Sequence, residues 1–284
     1  MTHTLRARAG VEDDWRNRLI MSRRLLFRKF LLLALCGVAA ASLLIPATTV
    51  PSAADEFTGR EILTVARIAH GGAEYTGLQH VTVKANGFVN AAAFAGIGGN
   101  PLAGAVEVKL NITDYQDKSM RRRLDVAPGG GVLAGGPTYL VYTGTEGGGM
   151  FAGNQFRVSE VAASRHWAMM GFDTLNRAIE GELITARQKD EGNDYVVEVK
   201  FNPQDTVRYW INRQSFLIDK ITTRYNSKVL IEEDRTDYRK VSCMMLPFHV
   251  VTRLQGQRLA DLAIDSYDAN TDVPAARFTM TATP

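Results

Sequence analysis

Polar and apolar residues alternate through the last third of the chain in short segments separated by turns. The segments are Tyr195–Phe201, Asp205–Ile211, Phe216–Arg224, Lys228–Asp237, Phe248–Leu254 and Leu259–Tyr267. Alternation sends successive side chains to opposite faces of a strand, so each segment predicts a strand with one buried and one wet face. The pattern also runs earlier. His80–Ala93 sets Val81, Val83 and Ala85 against Thr82, Lys84 and Asn86. Ala103–Thr113 sets Val106, Val108, Leu110 and Ile112 against Glu107, Lys109 and Asn111. Ser119–Val126 puts Met120, Arg122, Leu124 and Val126 opposite Arg121, Arg123 and Asp125, and Tyr139–Tyr142 is a short strand. Hairpin turns are expected at Asp190–Asp194 and Asn212–Ser215. A large, curved antiparallel sheet without a cluster of reactive groups suggests a container or platform, hence binding before chemistry.

Two stretches switch to helical spacing. Over residues 55–70, Asp55 and Thr58 can cap, Ile62, Leu63, Val65, Ala66 and Ala69 form one apolar stripe, and Gly71-Gly72 stops the helix. Val158–Ile179 is the second, with Val161, Ala162, Trp167, Met170, Leu175 and Ile179 on one side and Gly171 as a break. Two glycine-rich stretches, Pro128–Pro137 and Gly144–Gly153, fit no phosphate-binding pattern and are expected to be long flexible loops, with a lid at a cavity mouth as their functional reading.

Residues 1–54 have the plan of an export signal or an N-terminal anchor with a polar extension. Arg23, Arg24, Arg28 and Lys29 precede an apolar run from Phe30 to Ile45, and Ser52-Ala53-Ala54 supplies small residues for cleavage before Asp55. The run is shorter than the roughly 20 residues of a membrane span, but extension to Val50 would reach that length. Met21 could itself open a signal peptide, and Ser22–Arg28 resembles a twin-arginine signal. Localisation is therefore expected to be periplasmic or secreted, with an uncleaved inner-membrane anchor as the alternative. Residues 55–284 read as one domain.

The leader changes the charge balance. The full chain carries +3, but residues 1–54 hold eight Lys/Arg and three Asp/Glu, leaving 25 basic and 27 acidic residues and a net charge of −2. Such a body has no concentrated basic surface for nucleic acid. Of the two cysteines, Cys36 lies in the leader, so Cys243 is left without an intramolecular disulfide partner. Cys243, beside Val241 and Met244-Met245-Leu246, is expected to be buried and inert.

Candidate chemistry is sparse. His3, His70, His80, His166 and His249 form no metal-ligand spacing and are expected to be surface or hydrogen-bonded histidines. No G-x-S-x-G elbow occurs. The acidic run Glu232, Glu233, Asp234 and Asp237 is expected to be a solvated hairpin edge. No catalytic residue, metal or cofactor is expected.

Several segments resemble the LolA/LolB-like family of periplasmic lipoprotein-sorting proteins. Val207–Ile218 is similar to its strand–turn–strand unit, and Tyr238–Pro247 to the stretch reaching a Leu-Pro before the next strand. Tyr267-Asp268-Ala269-Asn270 through Val273-Pro274 to Phe278 is similar to its last strand, Asn-containing turn and closing Phe. The resemblance implies an α+β fold in which a strongly curved antiparallel sheet, an incomplete β-barrel, wraps around a few helices. It also implies a non-enzymatic carrier of lipoprotein acyl chains or other lipids. The glycine-rich insertions are not a family hallmark. Strand parity then nominates Val106, Val108, Leu110, Leu124, Val197, Val199, Phe201, Val207, Tyr209 and Ile211 as lipid-lining residues, joined by Trp167, Met170 and Phe172 from the helical region. The same residues would form a plain core if no cavity exists. Two alternatives stay open: an envelope-stress sensor of the same fold that binds a membrane-anchored envelope protein, and a secreted enzyme.

Overall fold

The structure is a computed structural model that describes residues 57–90, 107–128, 137–151, 153–158 and 163–280. The proposed leader, Val106, Val161, Ala162 and residues 129–136 of the first glycine-rich stretch lie outside the described residues.

The first helix, α1 (Gly59–Ala69), begins where its sequence provides a cap. The Thr58 hydroxyl accepts from the Glu61 amide, and the Glu61 carboxylate accepts from the Thr58 amide, so each satisfies a backbone or side-chain group at the open end. Ile62, Leu63 and Ala66 are fully buried, as the apolar stripe requires. A short helix, α2 (Ala73–Thr76), follows Gly71-Gly72, both at positive φ.

Six strands come next: β1 (His80–Asn90), β2 (Glu107–Asp117), β3 (Arg122–Pro128), β4 (Thr138–Tyr142), β5 (Gly147–Phe151) and β6 (Asn154–Val158). Two helices, α3 (Ala163–Ala168) and α4 (Phe172–Glu180), are separated at Gly171, where the sequence predicts a break. Seven strands complete the chain: β7 (Ile184–Arg187), β8 (Asp194–Lys200), β9 (Asp205–Asn212), β10 (Ile218–Tyr225), β11 (Lys228–Val241), β12 (Met244–Leu254) and β13 (Gln257–Ala269). A 3-10 turn at Ala275–Phe278 ends the described body.

All thirteen strands join one antiparallel sheet in the order β6-β5-β4-β3-β2-β1-β13-β12-β11-β10-β9-β8-β7. The chain enters mid-sheet, runs out to the β6 edge, passes through α3 and α4, and restarts at the β7 edge. It then works back until β13 pairs with β1. The edges β6 and β7 do not pair among the described residues, so the barrel stays open. Leu140 on β4 and Ile231 on β11 are six strand steps apart, yet both line one cavity, which requires a strongly curled sheet. This is the α+β incomplete barrel wrapped around a few helices.

Three expectations need correction. Gly144–Gly153 is not a flexible loop: its middle forms β5, paired with β4 and β6. Its missing side chains are used, because a Cβ on Gly148 would stand 2.2 Å from the Met280 methyl and one on Gly149 would stand 2.0 Å from the Tyr139 carbonyl oxygen. The acidic run is not a hairpin edge either. It lies on β11, between β10 and β12, where pairing on both sides leaves Glu233 buried. Cys243 is exposed, because the turn between β11 and β12 falls at Ser242-Cys243, with Ser242 at positive φ.

Candidate functional site

The curled sheet and the helices enclose a cavity of about 190 Å3. A space of roughly 10–15 Å3 already admits one water, so this is room for a larger guest. Its walls follow strand parity. β1 gives Val81, Val83, Ala85 and Val89; β2 gives Leu110 and Ile112; β3 gives Leu124 and Val126. β12 contributes Met244, Leu246, Pro247, Val250, Thr252 and Leu254, and β13 contributes Ala260, Leu262, Ile264 and Tyr267. Trp167, Met170 and Phe172, from the junction of α3 and α4, close one side.

The candidates from sequence divide into three groups. Leu110, Leu124, Trp167, Met170 and Phe172 line the cavity. Val108 packs beside it against the cluster of Val89, Leu110, Ile112 and Ala260. Val197, Val199, Val207, Tyr209 and Ile211 are buried in the main core with α1 and α4, and Phe201 packs on that core. They lie on the β8–β9 side of the sheet, in the core to which α1 contributes Ile62, Leu63 and Ala66.

Sequence reasoning missed a polar belt inside the cavity. Arg122 donates Nε and Nη2 to the Asp114 carboxylate at 3.0 and 2.5 Å, and Nη1 to the Trp167 carbonyl at 2.5 Å. Its guanidinium also lies 3.9 Å over the Trp167 ring. Gln116 donates to Asp114 at 2.9 Å. Arg235 donates Nε to Glu233 at 2.6 Å and Nη2 to the Met170 carbonyl at 3.3 Å. Burial works against the Arg235 charge, but the Glu233 carboxylate, Tyr238 and the hydrogen bond raise its pKa above the usual arginine value. A readable signal existed: Asp114 shares parity with Leu110 and Ile112, Arg122 with Leu124, and Glu233 and Arg235 with Ile231. Opposite charges at inward positions mark buried pairs.

The tyrosines around this belt are held as neutral phenols. Burial pushes Tyr75 up to about 12, against the nearby Arg235. Burial also raises Tyr238 and Tyr267, whose hydroxyls donate to the carbonyls of Ile218 and Pro247. His70 is neutral, since burial lowers it to about 4; Nδ1–H donates to the Met245 carbonyl at 2.8 Å and Nε2 accepts from the Ile218 amide at 3.3 Å. His166 is buried against Asp205 at 3.1 Å, and Arg165 also holds that carboxylate. Among the described residues no group of three or more His, Cys, Asp or Glu gathers as a metal site would, and no helix is long and apolar enough to cross a membrane.

An open antiparallel half-barrel with helices against its inner face and a largely apolar cavity between them is a LolA-like fold. A LolA superfamily protein from Nitrosomonas europaea shares it with a TM-score of 0.50 at 14% identity, over 78% of this chain and 98% of that one. A DUF1329 family protein from Desulfovibrio piger gives 0.46 at 10% identity, over 78% and 95%. A domain named for outer membrane lipoprotein sorting, from Vibrio parahaemolyticus, gives 0.42 at 12%, also over 78% and 95%. No family model and no curated protein matches the chain.

Proposed function

We propose that this protein is a non-enzymatic carrier that holds lipid or lipoprotein acyl chains in its cavity and works in the periplasm after export. The observation that carries the reading is the cavity itself: apolar walls from β1–β3, β12 and β13 surround space that the side chains of the described residues do not fill. Each methylene removed from water there contributes roughly 0.8 kcal/mol, so a chain of a dozen carbons needs no covalent or metal bond to stay. Export would deliver the carrier to the compartment where such cargo moves, in keeping with the leader-like residues 1–54. The junction of α3 and α4 suits the role of a movable wall, because Trp167 and Met170 reach the cavity from a segment broken at Gly171.

Native mass spectrometry of protein purified from its own host tests the reading. Adducts with the mass of acyl lipids or acylated peptides are expected, lost after organic extraction. A consistently bare protein that also takes up no added lipid would contradict it.

A further inference from the structure

The polar belt says something about the end of the guest that is not hydrocarbon. Two arginines inside an apolar cavity are costly unless matched, and each is matched by one carboxylate: Arg122 by Asp114 and Arg235 by Glu233. The belt is thus neutral before any guest arrives. A guest with a carboxylate or ammonium head would bring an unmatched charge into the cavity, and the desolvation of that head would have no counter-ion to offset it.

Unused donors remain beside the pairs. Arg235 spends Nε on Glu233 and Nη2 on Met170, and its Nη1 has no hydrogen-bond partner among the described residues. The Tyr75 hydroxyl also has none, and Tyr75 lines the same cavity close enough to Arg235 for each to influence the other's ionisation. Arg122, by contrast, is fully engaged by Asp114 and the Trp167 carbonyl. Two donors without a partner, on residues that line the cavity, call for an acceptor.

Resting on the carrier reading above, we infer that the cavity selects acyl chains with an uncharged carbonyl head, an ester or amide, and rejects those with a charged head. The carbonyl oxygen accepts from Tyr75 and from Arg235 Nη1, while the chain runs along the apolar wall toward Leu110 and Leu124. Tyr75 and Arg235 are the specificity-determining residues.

The test is displacement of a pyrene-labelled acyl methyl ester from the purified full chain by four C16 compounds: methyl palmitate, palmitamide, palmitate and hexadecylamine. At pH 7.5 the ester and the amide should displace at concentrations about tenfold or more below those of the two charged compounds. Tyr75→Phe removes one donor and no volume of consequence; it should weaken the ester and amide about three- to tenfold and leave the charged compounds unchanged. A double variant, Arg235→Met with Glu233→Met, removes the other donor without orphaning a charge and should narrow the same preference. Palmitate binding as tightly as its ester, or a preference unmoved by Tyr75→Phe, overturns the selectivity and leaves the carrier reading standing. Failure of the labelled ester and all four compounds to bind overturns both.

Discussion

His70 and Asp173 are buried groups whose ionisation the fold opposes, and they pull stability in opposite directions with pH. His70 has its pKa lowered from 6.5 to about 4, so the unfolded chain binds the proton more readily. Its contribution is complete above pH 6.5 and is lost as pH falls toward 4. Burial, partly offset by Arg177, raises Asp173 from 3.8 to about 6, so the folded state binds the proton more readily. Its carboxylate, with one oxygen buried and unpartnered, costs stability that grows as pH rises from about 4 to 6. Asp173→Asn should therefore stabilise the protein at pH 7.5 by about 1–2 kcal/mol, a gain that shrinks to nothing near pH 4. The variant should also lose stability more steeply than wild type between pH 6.5 and 4.5, since His70 then acts without its opponent. Urea titrations across that range read both effects.

At the scale of elements, two local features can be broken singly. Thr58→Ala removes the hydroxyl of the α1 capping box and should cost about 1 kcal/mol in chemical denaturation. Gly148→Val tests the packing of the C-terminal segment on the outer face of β3–β5. There the Tyr139 hydroxyl donates to the Met280 carbonyl at 2.8 Å, and Arg123 lies 3.9 Å over the Tyr139 ring. A side chain at Gly148 meets both the Met280 methyl and the Phe156 carbonyl oxygen at 2.6 Å, so proteolysis near residues 271–280 should quicken markedly. Strands such as β9 and the helix α1 were legible because each has one buried and one wetter face, which leaves a period in the sequence. The β5–β6 pair was not, although its neighbour β4 was read as the short strand Tyr139–Tyr142: Gly147-Gly148-Gly149 has no side chains to show a period. The acidic run misled because a buried carboxylate with an arginine two residues away looks, in one dimension, like a solvated charge cluster.

For the whole molecule, the decisive property was beyond strand parity. Parity names inward residues but not what they face. Leu110 and Val199 carry the same signal, yet one borders open space and the other packs against the core that α1 completes. The strand order explains the difference. α1 packs on the β7–β8 side, while the cavity lies among β1–β3, β12 and β13, with the α3–α4 junction at its side. The function proposed here depends on that cavity.

Titration of wild type and Leu110→Trp with the pyrene-labelled acyl ester tests this most directly. A tryptophan at Leu110 should occupy the cavity, and burying its ring should leave the thermal midpoint unchanged or higher. The account predicts saturable one-to-one binding by wild type and a loss of at least about tenfold in the variant. Equal binding by both proteins, or a variant that unfolds because no space was there to fill, would contradict it.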